Sequence, residues 1–341
     1  MKVLITGAGA LLGQGIIRSF RNSELDPTII SVDPSPLSAA LYWSDRRYLV
    51  PMAKDPTYLD EIKKILDRER PDIVLIGTDV ELMIFAQYRK ELETEFDTTI
   101  LVSSPEVISI ADDKYLTYKF LKDNGFDYPE SGLPGEEERV IEAVGFPLIV
   151  KPRVGARSIG VHKVHNREEL RAAVEAEDEP VIQECVASAD DEYTAGVVVF
   201  NGQCTASIVM RRDLRDGNTY RAYVEEFPEL NARIQKIGEA LMSFGPSNFQ
   251  FRIDEQDRLK VFEINARFSG TTPLRALAGM NEVEMCLKHL LKDEPIRQPE
   301  LEAMTILRHW SETVVRPDET RAVTTIDKAG ETKKAIAHQE S

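Results

Sequence analysis

The segments Asn248-Phe-Gln-Phe-Arg-Ile253 and Leu259-Lys-Val-Phe-Glu-Ile-Asn265 flank a short polar stretch, Glu255-Gln-Asp-Arg258, and read as a β-hairpin. A turn centred on Gln256–Asp257 places Gln250 opposite Glu263, Phe249 opposite Ile264 and Phe251 opposite Phe262. Alternation sends the phenylalanines to the core side and gathers Gln250, Glu263 and Asn265 on the other face. One carboxylate and two amide carbonyls supply hard oxygen donors, which suit Mg²⁺ sharing its octahedron with phosphate oxygens and water. Polar residues on a solvent-facing strand are the plain alternative. Against it stands a single Glu-x-Asn pair opposite a Gln, followed at once by Arg267 and Gly270.

A second chemical segment is Pro147-Leu-Ile-Val-Lys-Pro-Arg-Val-Gly-Ala-Arg-Ser-Ile-Gly160. Lys151 and Arg153 share one face of an apolar strand, and the loop Val154–Ser158 offers backbone amides and Arg157 to phosphate groups. From Lys151 to His165 there are four bases and no acid, whereas Glu175–Glu192 holds eight acids and no Lys or Arg. A basic island in an acidic chain is a place for a small anion. The Walker pattern GxxxxGK[ST] does not occur. A third segment, Val181-Ile-Gln-Glu-Cys-Val186, reads as a strand whose backbone edge can pair with a flat base, with Glu192 nearby for a ribose diol.

The N-terminal turn Gly7-Ala-Gly-Ala-Leu-Leu-Gly13 departs from the dinucleotide pattern GxGxxG, although Asp33 stands at a suitable distance for a ribose hydroxyl. It leaves two readings open: an NAD(P)-dependent oxidoreductase, or glycines that merely permit a tight strand-to-helix crossover. None of the five histidines is evidently placed for hydride chemistry.

These segments sit in two textures. Residues 2–6, Thr28–Val32, Asp72–Ile76 and Thr99–Val102 read as strands alternating with helices after Gly7, over Tyr58–Glu69 and over Val80–Glu93, which implies a parallel sheet. A helix over Asp112–Asn124 follows. Beyond it strand pairs dominate: Phe146–Arg153 with Ile159–His165, and Glu192–Phe200 with Cys204–Arg211. Helices are expected over Glu168–Ala176, Ala232–Phe244 and Glu282–Leu291, with a late strand over Thr305–Val315. From Asp318 onward the chain is polar, with five acids and four bases.

The composition narrows the classes. With 58 acidic and 42 basic side chains the formal charge is −16 over 341 residues, which argues against nucleic-acid binding. No apolar run approaches the roughly 18 residues of a membrane span. The start MKVLITGAGA reads as a strand and a turn rather than a leader, and three scattered cysteines suggest neither disulfides nor a metal knuckle. The expectation is a cytoplasmic enzyme with no nucleic-acid or membrane partner.

Taken in order, Asp113-Lys114, Val150-Lys151-Pro152, the glycine-bearing loop, Gln183-Glu184, Glu192-Tyr193 and Phe262-Glu-Ile-Asn-Ala-Arg267 resemble the ATP-grasp superfamily, particularly the branch like the carbamoyl phosphate synthase large subunit. The resemblance covers about residues 1–315. It implies an α/β and α+β chain: a Rossmann-like pre-ATP-grasp domain over 1–105, a small subdomain with the phosphate loop over 106–188, a C-terminal subdomain with the metal site over 189–317, and a polar tail over 318–341. It implies ATP with Mg²⁺, or Mn²⁺ in its place. Lys114 and Lys151 would hold phosphates with Arg153, Arg157 and Ser158 from the loop region; Glu184 and Val186 would line the adenine slot, and Glu192 would take the ribose. Glu263 and Asn265, with Gln250, would bind the metal, and Arg267 would stabilise the transferring phosphoryl group. The synthase carries two such units in tandem and this chain has room for one. The expected activity is therefore ligation of a small carboxylate to an amine through an acyl phosphate, in a chain that could form a homodimer.

For the acceptor, Arg211 or Arg221 could pair with a substrate carboxylate, or the segment around Asp216-Gly217-Asn218 is an ordinary exposed loop. Ser269 and Gly270 in Ser269-Gly-Thr-Thr272 either offer amides to the acceptor or begin a helix.

Overall fold

The computed structural model describes residues 1–155, 159–186, 192–321, 323, 325–326 and 332–333. Arg157 and Ser158 lie outside the described residues.

The first unit alternates β1 (Lys2–Ile5), α1 (Leu11–Ser19), β2 (Thr28–Asp33), β3 (Arg46–Leu49), α2 (Tyr58–Glu69), β4 (Ile73–Leu75), α3 (Asp79–Phe96) and β5 (Thr99–Leu101). The strands form one parallel sheet in the order β3-β2-β1-β4-β5. Val3, Leu4 and Ile5 are fully buried, as expected of an unbroken apolar strand covered on both faces. A Cβ on Gly13 would stand 2.4 Å from the Gly7 carbonyl, so the start of α1 needs glycine there to lie against the turn. α3 runs three residues past its expected end, to a left-handed stop at Asp97. β3 had no clear apolar alternation to announce it.

The helix expected over Asp112–Asn124 forms as α5 (Lys114–Asp123), and a further helix that the sequence reading did not include, α4 (Pro105–Asp112), runs into it. Asp113 is extended and caps α5, its carboxylate accepting the amides of Tyr115 and Leu116. That break puts Lys114 at the first turn of a new helix.

Next come β6 (Ser131–Gly132), α6 (Glu137–Val144), β7 (Leu148–Pro152), β8 (His162–Val164), α7 (Arg167–Ala176) and β9 (Pro180–Glu184), whose strands form an antiparallel sheet ordered β6-β9-β7-β8. β9 is therefore flanked on both sides. On the β6 side the pairing covers Ile182 and Gln183, with the Glu184 amide donating to the Glu130 carbonyl, so within Val181–Val186 the backbone edge outside this pairing is narrowed to the two ends of the segment.

The larger antiparallel sheet, ordered β14-β13-β10-β11-β12-β15, comprises β10 (Glu192–Phe200), β11 (Gln203–Arg215), β12 (Asn218–Val224), β13 (Gly245–Ile253), β14 (Leu259–Asn265) and β15 (Met304–Leu307). α8 (Pro228–Leu241), α9 (Thr272–Leu277) and α10 (Glu282–Lys292) complete the unit. The Asp216–Gly217 stretch is not a loose loop. Both residues have positive φ (51° and 71°) and join β11 to β12 in a two-residue hairpin turn. The late strand ends at Leu307 rather than Val315.

In the β13–β14 hairpin, Asn248 faces Asn265, Phe249 faces Ile264 and Gln250 faces Glu263. A bulge after Gln250 then sets Phe251 against Val261 instead of Phe262. The extra residue leaves Phe262 out of the core row, and its side chain lines a cleft beside Lys151.

Candidate functional site

A cleft of about 490 Å³ lies between the four-stranded and six-stranded sheets. Ile149 from β7, Val161 just before β8, Val186 beyond β9, and Phe262 from the β14 bulge give it apolar walls, a suitable surface for a flat heterocycle. Lys114, Lys151, Lys163, Arg212, Arg252, Glu184, Glu192 and Glu263 supply its charge. A second cleft of about 530 Å³ adjoins it and reaches the start of α1, the 78–80 segment, and residues 269–271. Lys114, Gly155, Arg212, Gln250 and Glu263 line both. The two spaces meet across this shared wall.

Two ammonium groups are buried here, Lys114 on the shared wall and Lys151 in the first cleft. Lys151 Nζ donates to Gln183 Oε1 at 2.8 Å and lies 5.4 Å from the Phe262 ring centroid. Burial, helped by the nearby Lys114 charge, lowers its pKa to about 7. Lys114 Nζ donates to the carbonyls of Gly155 (2.9 Å) and Arg153 (3.2 Å), and burial lowers its pKa as well. Both cations are thus held by neutral oxygens. Among the described residues neither is ion-paired in contact, although the Glu263 charge acts on both, and burial outweighs it; a polyanion between them would favour their charged forms.

Glu263 stands at the centre of a polar relay. Its Oε1 accepts from Gln250 Nε2 at 2.8 Å and Asn265 Nδ2 at 2.9 Å. The carbonyl of Gln250 faces Arg212 at 2.5 Å, and that of Asn265 faces Arg267 at 2.8 Å. Among the described residues no group of three His, Cys, Asp or Glu side chains gathers to hold a metal. The donor set is one carboxylate and two amide oxygens beside a cationic phosphate-sized space. It fits Mg²⁺ completed by phosphate oxygens and water, and fits poorly a closed all-protein cage.

The candidate residues divide. Lys114, Lys151, Glu184, Val186, Glu192, Gln250 and Glu263 line the first cleft, and Asn265, Arg267, Ser269 and Gly270 line the second. Glu184 pairs with the buried Lys260 at 2.5 Å; Glu192 sits between Arg212 (2.5 Å) and Arg252 (2.8 Å). Arg153 turns away and pairs with Asp113, leaving its carbonyl to hold Lys114. Arg211 stacks on Tyr223 at 4.1 Å and Arg221 pairs with Asp213 at 3.3 Å, and neither lines a cleft. Their neighbour Arg212 does. β11 runs to Arg215, so continuing the alternation of Ile208 and Met210 by one step identifies it. Ser269 and Thr271 hydroxyls bond each other at 2.8 Å just before α9.

Residues that were not site candidates in the sequence also reach the second cleft: Asp79, Asp112 and Arg308. Asp79 Oδ1 accepts from Arg267 Nε at 2.7 Å. Burial, with the Asp79 charge, raises the Asp112 pKa. No local pattern marks any of the three.

The glycine turn is filled by its own chain. Asp33 accepts the Gly9 amide at 2.7 Å and the Ser38 hydroxyl at 2.5 Å, and Ser38 Oγ lies 2.2 Å from where a Gly9 Cβ would be. That arrangement does not favour a dinucleotide there.

Known proteins bear on this geometry. Residues 3–101 match the family model described as PylC-like, N-terminal domain; 144–201 match the ATP-grasp domain; 181–313 match "ATP-grasp in the biosynthetic pathway with Ter operon". The carbamoyl phosphate synthase large chain of Methanosarcina mazei is 28% identical over 179 residues, 47% of this chain and 16% of that one. The chain thus spans a small part of the length of that relative. The N5-carboxyaminoimidazole synthetase of Staphylococcus aureus, solved with ADP, shares the fold at a TM-score of 0.70 and 17% identity, over 88% of this chain and 79% of that one. The L-amino acid ligase of Bacillus licheniformis superposes at 0.66 with 17% identity, over 86% and 74%. Among the described residues, no helix is long and apolar enough to cross a membrane.

Proposed function

We propose that this chain, which belongs to the ATP-grasp superfamily, is an ATP-dependent ligase that activates a small carboxylate as an acyl phosphate and joins it to an amine, releasing ADP and phosphate. One observation carries the reading: two buried ammonium groups with neutral hydrogen-bond partners stand in a cleft of about 490 Å³ that opens onto a second cleft. The ADP-bound relative and the amino acid ligase of the same fold support it.

In this reading adenine lies between Ile149, Val161 and Phe262, the ribose reaches Glu192, and the phosphates run toward Lys151 and Lys114. Glu263, Asn265 and Gln250 would hold Mg²⁺, which supplies charge neutralisation on the phosphate oxygens. A carboxylate oxygen of the acceptor attacks the γ-phosphorus, and the bond to the β-phosphate oxygen breaks, leaving ADP and an acyl phosphate. Lys151 and Arg267 offset the charge on the oxygens of the moving group. An amine then attacks the acyl carbon, phosphate departs, and the nitrogen loses a proton to give the amide. Asp79 and Asp112 are the carboxylates at hand to hold the amine and accept that proton.

The test is ADP release with Mg²⁺ across a panel of carboxylates and amines. Lys151→Ala and Glu263→Ala should each lower turnover by about 100-fold or more, with the thermal midpoint kept. Wild-type release by both variants rejects the assignment.

A further inference from the structure

Arg308 follows the edge strand β15 and lines only the second cleft, away from the wall shared with the first. Its guanidinium is partly buried and held by backbone alone: Nη1 donates to the Thr219 carbonyl at 3.2 Å and Nη2 to that of Gly270. Among the described residues no carboxylate lies within ion-pair distance of it. Its neighbours make matters worse, since burial lowers its pKa to about 10 and the charges of Arg18 and Arg275 act in the same direction. It remains a cation at neutral pH. A guanidinium has five N–H donors, so two carbonyl contacts leave donors over. The segment carrying it is tied to the first unit, because Thr313 Oγ1 accepts the Trp43 indole N–H at 2.9 Å. A partly buried, uncompensated arginine at a fixed point of a polar cleft is electrostatically incomplete.

We propose that Arg308 binds a second anionic group, a carboxylate or a phosphate, carried by the carboxylate substrate away from its reacting end. The proposal rests on the ligase reading and extends it to substrate class. The reacting carboxylate belongs near Glu263 and Arg267, where the two clefts meet. Arg308 marks the other end, and its planar fork suits either anion.

Matched probes test it on the full chain with Mg²⁺, ATP and hydroxylamine, a small amine that traps acyl phosphates as hydroxamates. The pairs are succinate against succinamate, glutarate against glutaramate, and 3-phosphoglycerate against glycerate; MgADP binding is measured separately by calorimetry. Within at least one pair the member with the second anionic group should have a kcat/KM about ten-fold or more above its singly charged partner. The carboxylate and phosphate arms show which anion is read. Arg308→Gln should erase that ratio through KM, with kcat and the singly charged member's kcat/KM within about two-fold of wild type; Arg308→Lys should restore part of it.

Equal use of both members in every pair, no turnover with any probe, or equal losses for both members in Arg308→Gln would overturn the proposal. The last result would mark Arg308 as a plain anchor for Thr219 and Gly270. If MgADP itself does not bind, the ligase reading fails too; if it binds while the pairs behave alike, only the Arg308 assignment falls.

Discussion

Arg267 Nε donates to Asp79 Oδ1 at 2.7 Å across 188 residues of sequence, while its Nη2 donates to Asn265 Oδ1 at 2.8 Å. One side chain therefore ties the start of α3 in the first unit to the end of β14 in the last. Both contacts use the fixed fork of a guanidinium, which an ammonium cannot reproduce. Arg267→Lys should lower turnover about 100-fold, and Asp79→Asn about ten-fold, each with little change in thermal midpoint. Steady-state ADP release with parallel melting curves checks this. Wild-type turnover in Arg267→Lys would show that the arginine only links the two units.

Burial lowers the Lys151 pKa to about 7, against 10.5 for an ordinary lysine. Between those values the unfolded chain holds a proton that the folded chain lacks, so this group makes stability rise with pH across that window. Phosphate oxygens restore the charged form. At about pH 8, ADP binding should take up protons, and affinity should tighten as pH falls toward 7. Titration calorimetry in buffers of different ionisation enthalpy measures the uptake, and Lys151→Met should reduce it. An uptake indifferent to that substitution assigns the protons elsewhere.

Glu263 is the one carboxylate of the hairpin cluster, with both neighbouring amides donating to it. Glu263→Gln keeps the shape and removes the charge. Metal dependence should shift, with about ten-fold or more Mg²⁺ needed for half-maximal ADP release, while metal-free ADP binding changes little. A Mg²⁺ titration identical to wild type moves the metal away from this hairpin.

Arg275 and Glu282 are fully buried and face each other at 2.9 Å. Thr272 also donates to Glu282, and Arg275 donates to Asn248 and Ser269. Removing one charge leaves the other stranded, so Glu282→Gln should destabilise the fold by about 3–5 kcal/mol. Urea unfolding of Glu282→Gln, Arg275→Met and the double variant reads this directly. The double variant should be less destabilised than the two single losses added together.

Much of this site is legible in local pattern. The register that sets Gln250 against Glu263 follows from the turn position and alternation in the hairpin. Lys151 stands out as a base inside an apolar strand, and Tyr58–Glu69 as a helix stopped before Pro71. Elsewhere the pattern misled. Arg211 and Arg221 stood in a polar, basic stretch, but strand alternation turns Arg211 onto Tyr223 and leaves Arg212 facing the clefts. Arg153 shares the parity of Lys151, yet it lies just past the end of β7, where Asp113 draws it aside.

The sequence by itself determined what short-range geometry controls: strand and helix type, the face shared by Gln250, Glu263 and Asn265, and the presence of a basic island in an acidic chain. Only the tertiary structure decided the rest. The bulge that releases Phe262 depends on how β14 pairs along its length, which alternation cannot foresee. Asp79 and Arg308 join the site because α3 and the segment after β15 arrive from distant parts of the chain. Their meeting with Arg267 and Gly270 is set by packing between units, and packing leaves no periodic trace in the residues that it brings together.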